Sequence, residues 1–309
     1  MTGRGLNIAR MPSLHSAAAN RRGMVAISLA MASFIANDAL VKYVSESLPT
    51  AQLIFIRGVF SSVLLLAVAQ AMGLLRVDQA SGPGAWSHLT QKPVLWRSAF
   101  DAVGTMAYLG ALFHLPIANA TAINMATPLF ITLYAALVWH ERVRPARWLA
   151  VGAGFGGVLL VVQPAADGFN AWALVCLLAT LVHTGRDLMT RVIHPGVPSV
   201  LITVSAALAV TLLSAVASAV QGWQPVTSQQ LGLLAIASVF LSAAYYLVIV
   251  GMREGDMSAV APFRYSALLF ALLIGWLVWG DVPNTLAWTG IALLVGAGLY
   301  MVRSGRQVR

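Results

Sequence analysis

Charge is scarce in this sequence. Asp, Glu, Lys and Arg make up 9% of the 309 residues, against 59% hydrophobic, whereas a soluble domain carries roughly 25% charged residues. Such a chain cannot cover itself with polar surface. Cysteine is nearly missing as well. Cys176 stands alone, which excludes internal disulfides and thiolate metal cages and leaves it as a small apolar residue within a hydrophobic run. No His-Glu-x-x-His motif, Walker loop or paired-cysteine site occurs, so no metal or cofactor is expected, and neither is ATP hydrolysis. Gly152, Gly154 and Gly157 do fit G-x-G-x-x-G, but they lie inside an apolar run rather than between a strand and a helix. Gly152 and Gly156, spaced as GxxxG, are instead expected to let two helices approach closely. Gly290, Gly296 and Gly298 crowd the equivalent tenth run.

What is present is a series of apolar runs near the length that crosses a ~30 Å hydrocarbon core. They cover residues 22–44, 50–72, 94–115, 119–139, 146–163, 169–192, 199–221, 229–252, 257–279 and 286–303. The first follows Arg21-Arg22 and mimics a signal peptide, but it has no small-residue cleavage site and is read as retained. The net charge is +9, and its distribution is one-sided. With a cytoplasmic N-terminus, fifteen of the 19 basic residues fall inside, Lys42 falls outside, and Arg57, Arg186 and Arg264 fall within spans. This bias places both termini in the cytoplasm and makes nucleic acid a poor partner for the basic excess. The expected fold is an all-α membrane protein with ten transmembrane helices.

The runs repeat. Asp38, Lys42 and Pro49 recur as Asp187, Arg191 and Pro198, each 149 residues on, whereas Trp139, Glu141 and Trp148 recur as Trp279, Asp281 and Trp288, each 140 on. The difference is absorbed by the polar loop from Arg76 to Lys92, which the second copy lacks. The expected organisation is a cytoplasmic tail over 1–21, a five-helix repeat over 22–166, a second over 167–303 and a cytoplasmic tail over 304–309. Five spans per copy make the copies inverted, which is characteristic of secondary transporters working by alternating access.

Polar groups inside spans are costly, roughly 2.5–3.5 kcal/mol for a charge at bilayer centre, so they mark the candidate site. Asp38 and Lys42, Asp187 and Arg191, and Arg97 and Asp101 are spaced to pair along one helix face. The alternative for each is an anchor near the interface. Arg57 and Arg264 have no acid three or four positions away. Each needs a carboxylate on another helix, water or a solute. Pro128 and Pro262 interrupt the fourth and ninth spans, and Pro128 strips the hydrogen bond from the carbonyl of Asn124. With the stripe Asn119, Thr121, Asn124 and Thr127, this favours those two spans as cavity walls. Expected substrate-binding residues are Arg57, Tyr108, Asn124, Tyr245, Arg264 and Tyr265, with Phe34, Tyr246 and Phe263 as further aromatics. Expected gate or coupling residues are Asp38, Lys42, Asp101, His183, Arg186 and Asp187. His183 and His114 are candidates for proton transfer. Trp139, Trp148, Trp279 and Trp288 suit the interfacial belt.

The motif Pro128-Leu129-Phe130 followed by Trp139-His140-Glu141-Arg142, echoed by Trp279-Gly280-Asp281, resembles the drug/metabolite transporter superfamily with its paired EamA-type domains. Asn37-Asp38-Ala39-Leu40-Val41-Lys42 and Gln52-Leu53-Ile54-Phe55-Ile56-Arg57-Gly58 resemble a bacterial branch that includes riboflavin uptake proteins. The second copy departs at position 206, where Ala stands opposite Arg57. The resemblance implies a multi-pass protein of the bacterial inner membrane, not an enzyme, that moves a small organic solute, with riboflavin uptake as the leading expectation. Export of amino acids or drug-like metabolites is the alternative, and a membrane-embedded lipid-modifying enzyme or a non-transporting subunit the rival from other classes. Protons are the candidate coupling ion, and a monomer or homodimer is expected.

Overall fold

The computed structural model describes residues 17–75, 85–138, 140, 145–163, 170–190, 192–254 and 260–304. Trp139, Glu141, Arg142, Arg191, Asp256 and most of both expected tails lie outside them. All regular structure among the described residues is helical. Its elements are α1 (Ala17–Ser45), α2 (Thr50–Ala71), α3 (Ala85–Leu89), α4 (Lys92–Leu112), α5 (Ile117–Asn124), α6 (Thr127–Leu137), α7 (Pro145–Val162), α8 (Trp172–Thr190), α9 (Ser199–Gln221), α10 (Ser228–Glu254), a 3₁₀ turn (Ala261–Tyr265), α11 (Ser266–Trp279) and α12 (Thr285–Ser304). Among the described residues, six helical segments are long and apolar enough to cross a membrane, and two shorter apolar ones run over Trp148–Val162 and Thr285–Tyr300. In hydrocarbon each backbone N–H and C=O needs an internal partner, which a helix supplies along its whole length.

Proline sets many of the helix starts. Pro49, Pro116 and Pro198 stand at N-caps, and Pro93 and Pro128 lie in first turns, where the missing N–H costs nothing. One expectation needs correcting: the Arg76–Lys92 segment is not all loop, because it contains α3. The fourth span is also fully divided. α5 ends at Asn124, Met125 and Ala126 form a turn, and α6 restarts beside Pro128. The hydroxyl of Thr127 donates to the Asn124 carbonyl at 2.8 Å, restoring the partner that Pro128 removes. The ninth span breaks likewise: Pro262 opens a 3₁₀ turn before α11 begins. Gly280 then ends α11 in the left-handed region at φ 70°, with Asp281 N–H reaching back to the Gly275 carbonyl, a closure that favours glycine.

The main packing pairs are α1 with α10, α4 with α8, α2 with α9 and α7 with α12. Exchanging the two copies turns the first pair into the second and maps each of the others onto itself. Ser62 on α2 and Thr211 on α9, equivalent residues 149 apart, bring their hydroxyls within 3.2 Å. A residue meets its own equivalent only near a two-fold axis. Ser98 on α4 donates to Ser205 on α9 at 2.8 Å, and its equivalent Ser238 on α10 donates to the Arg57 carbonyl on α2 at 3.1 Å.

The close helix approach is not where the GxxxG spacing put it. A Cβ on Gly152 or Gly156 would meet nothing within 4 Å, and the same holds for Gly296. Gly157 and Gly290 form the contact instead: a Cβ on Gly157 would lie 2.6 Å from the Gly290 carbonyl oxygen, and one on Gly290 would lie 2.5 Å from that of Gly157. Spacing alone does not say which helix face a glycine occupies. Gly157→Ala is expected to destabilise the protein by about 1–3 kcal/mol through overpacking against backbone, and Gly152→Ala to be neutral or slightly stabilising. Thermal unfolding of the two variants in detergent measures the difference.

Candidate functional site

The mutual packing of α1, α2, α4, α5, α8, α9, α10 and the start of α11 leaves a cavity of about 530 Å³, within the size range of small-molecule sites. Of the twelve expected site residues, ten line it: Asp38, Arg57, Asp101, Tyr108, Asn124, His183, Arg186, Asp187, Tyr245 and Arg264. Lys42 and Tyr265 do not.

Two matched clusters face the cavity, one from each copy. In α1, Asn37 Nδ2 donates to Asp38 Oδ1 at 2.9 Å. In α8, the equivalent Arg186 donates through Nε to Asp187 Oδ1, also at 2.9 Å. The clusters then diverge. Asp38 accepts the Tyr108 hydroxyl at 3.2 Å, and Asn37 Oδ1 accepts Arg57 Nη1 at 3.4 Å. Arg57 and Asp38 also attract one another across this amide. Arg186 bridges to Asp101 on α4 at 3.0 Å, and Arg97 joins Asp101 from one turn earlier at 3.7 Å. Arg97 Nε lies 3.4 Å from the Thr190 hydroxyl. A buried ion pair holds only when its charges and hydrogen bonds are mutually satisfied, and α4 supplies the partner for both copies.

His183 packs against Gly104, where a Cβ would collide with the imidazole. Its Nδ1 donates to Asn124 Oδ1 at 3.2 Å, which ties α8 to the broken end of α5. The Tyr108 ring lies 6.0 Å from the imidazole, and Phe34 meets Tyr245 edge-on at 5.3 Å. These rings give the cavity aromatic faces.

Several expectations fail on contact. Lys42 does not pair with Asp38 although the spacing permits it. Its ammonium donates to the carbonyls of Leu112, at 2.9 Å, and Leu115 at the end of α4, and lies 5.5 Å from the Trp279 ring centre. Helix C-termini present unpaired carbonyls that attract a cation, and these outcompete a carboxylate one turn away. Tyr265 turns away from the cavity and packs its ring on Gly298. His114 is exposed and stacks on Trp172 at 4.0 Å, outside the cavity. Tyr246 is 65% exposed, on the outer face of α10. The contribution that sequence reasoning missed is Asn37, the link between Arg57 and Asp38. The 149-residue offset that pairs it with Arg186 was the available signal.

The cavity has two unlike ends. At the end where α1 finishes, Lys42 is locked to α4, Trp279 Nε1 donates to Glu46 at 3.2 Å, and the fully buried Gln52 exchanges hydrogen bonds of 2.7 and 2.8 Å with the Gln224 backbone. Asp281 sits just beyond α11, where partial burial raises its carboxyl above the ordinary range while Lys42 pulls it back. At the opposite end the lining reaches the exposed Thr190, Ser199 and Met252.

A bundle of helices long and apolar enough to cross a membrane, packed around a cavity lined by charged side chains, is the architecture of a multi-pass solute carrier. The profile of the EamA-like transporter family matches residues 21–163 and 170–303, and the chain belongs to that family, within the drug/metabolite transporter superfamily. It is a multi-pass protein of the bacterial inner membrane. The riboflavin transporter of Rhizobium johnstonii is 32% identical over 219 residues, covering 71% of this chain and 70% of its own. The pseudopaline exporter CntI of Pseudomonas aeruginosa is 27% identical over 92% of this chain and 97% of its own. The S-adenosylmethionine uptake transporter of Rickettsia bellii is 25% identical over 90% and 92%. A crystal structure at 21% identity superposes with a TM-score of 0.61, covering 93% of this chain and 99% of that one, which shows the shared fold. Family and relatives point to a transporter of small solutes rather than an enzyme.

Asp101→Ala is expected to cost about 3–5 kcal/mol, because it removes the ion pair of the largely buried Arg97 and leaves Arg186 with Asp187 alone. Asp187→Ala should cost less than half as much, since the Asp187 side chain is 33% exposed against 5% for Asp101. Denaturant unfolding in detergent micelles compares the two.

Proposed function

We propose that this chain is a secondary transporter of a small organic metabolite, in which two inverted five-helix repeats with both termini cytoplasmic rock about a midplane cavity. The observation that carries the reading is the unequal pair of cavity ends on a two-fold-related frame. The Lys42 end is sealed by hydrogen bonds between α1, α4, α2 and α9, while the Thr190 end is open. With the N-terminus cytoplasmic, α1 finishes at the outer face and the open end faces the cytoplasm. Exchange of the roles of the two copies would seal the inner face and open the outer one.

Riboflavin is the leading substrate. The most direct support is the 32% identity with the Rhizobium johnstonii protein of that name. The rings of Phe34, Tyr108 and Tyr245 would stack on a planar solute, and Arg57, Asn124 and Arg264 supply donors for carbonyl and hydroxyl groups. Export of another metabolite is the second reading, favoured by the pseudopaline exporter, which matches over nearly the whole length.

A riboflavin-auxotrophic bacterium expressing this chain should grow on limiting vitamin where the empty vector does not. Purified protein in proteoliposomes should take up labelled riboflavin without ATP. Absence of both growth and uptake removes riboflavin from the reading. Asp38, which ties Tyr108 to the Asn37–Arg57 pair, is the proposed coupling acid. Asp38→Asn should alter the pH dependence of flux, and an unchanged profile assigns Asp38 a structural role only.

A further inference from the structure

The lining of the cavity contains seven charged side chains among the described residues: Arg57, Arg97, Arg186 and Arg264 against Asp38, Asp101 and Asp187. Six of them are balanced within the protein. Arg97 and Arg186 are matched to Asp101 and Asp187 by direct ion pairs. Arg57 is matched to Asp38 through Asn37. Arg57 is 5% exposed, and its charge answers that of Asp38. Arg264 is different. It makes no ion pair among the described residues, and its side chain is exposed to the cavity.

Arg264 sits in the last turn of the 3₁₀ segment that leads into α11, where the Ser266 N–H is already bonded to the Arg264 and Phe263 carbonyls. No acidic side chain among the described residues pairs with it. An unpaired guanidinium facing a cavity attracts a solute that bears negative charge or a carbonyl-rich edge and repels a net cation. The repeat sharpens the point, since the equivalent position in the first copy is the neutral Asn124, itself bound to His183.

We infer that Arg264 is a specificity-determining residue that sets a charge filter: the cavity takes solutes of net zero or negative charge and rejects net cations. The inference rests on the reading of this cavity as the solute site. It separates otherwise similar metabolites by one unit of charge.

S-adenosylhomocysteine and S-adenosylmethionine form a matched pair, since the second differs by one methyl group and one positive charge. Both would be measured, alongside riboflavin, for binding to the purified full chain in nanodiscs by calorimetry and for uptake into proteoliposomes. The wild type is expected to favour the homocysteine compound at least 10-fold. Arg264→Gln should bring the ratio near unity, and Arg264→Glu should reverse it. Arg264 is exposed, so both variants should fold, and a monodisperse elution profile checks this. An unchanged ratio in Arg264→Glu, or a wild type that favours the cation, overturns the filter. Riboflavin uptake with an unchanged ratio leaves the vitamin reading standing and removes only the filter. No riboflavin uptake together with a reversed ratio removes the vitamin and supports the filter. Binding of none of the three solutes overturns both.

Discussion

Arg186 is held between two carboxylates, Asp101 at 3.0 Å and Asp187 at 2.9 Å, and the architecture depends on that neutralisation. A lone guanidinium in hydrocarbon is costly enough to push the chain out of the membrane or to force a partner on it. Here the partner comes from α4, a helix of the first copy, while Arg186 belongs to the second. The ion pair therefore stitches the halves together across the cavity instead of stabilising either alone. Its counterpart, Asp38 with Tyr108, uses the same α4 from the other side. One helix thus carries the electrostatic partners of both copies, and its ends mark the two faces of the protein: Arg97 at the open end and the carbonyls of Leu112 and Leu115 at the closed one.

The seal and the cavity are different kinds of contact. The cavity is made of charges that balance one another within a few ångströms. The seal is made of a buried lysine on helix-terminal carbonyls, an indole on a glutamate, and the buried Gln52 side chain on the Gln224 backbone. Separating balanced charges inside a low-dielectric bundle costs several kcal/mol.

Much of this was legible in the chain. The apolar runs, the prolines at helix starts and the two repeat offsets follow from length, rigidity and periodicity, which act locally. The 149-residue offset placed Ser62 against Thr211 in register. The intramembrane arginines and aspartates identified the cavity because charge in hydrocarbon has few structural uses. What failed were choices between competing partners. Lys42 could reach Asp38 or the end of α4, and only the arrival of α4 at that point decided it. Tyr265 faces Gly298 rather than the solute, because the 3₁₀ turn rotates it away from the face an unbroken helix would present. The glycine contact shifted from Gly152 and Gly156 to Gly157 for the same reason: helix orientation is a tertiary quantity.

The sequence by itself determined that this protein lives in a bilayer, that it is built from two related halves and which few polar residues must find one another. Composition, helix length and charge cost are properties of the chain and need no neighbours. Only the tertiary structure decided the pairing. It gave Arg57 to Asp38, Arg186 to Asp101 and Lys42 to carbonyls, and left Arg264 facing the cavity. A charge takes whichever partner the packing brings within reach, and packing is settled by the whole bundle at once.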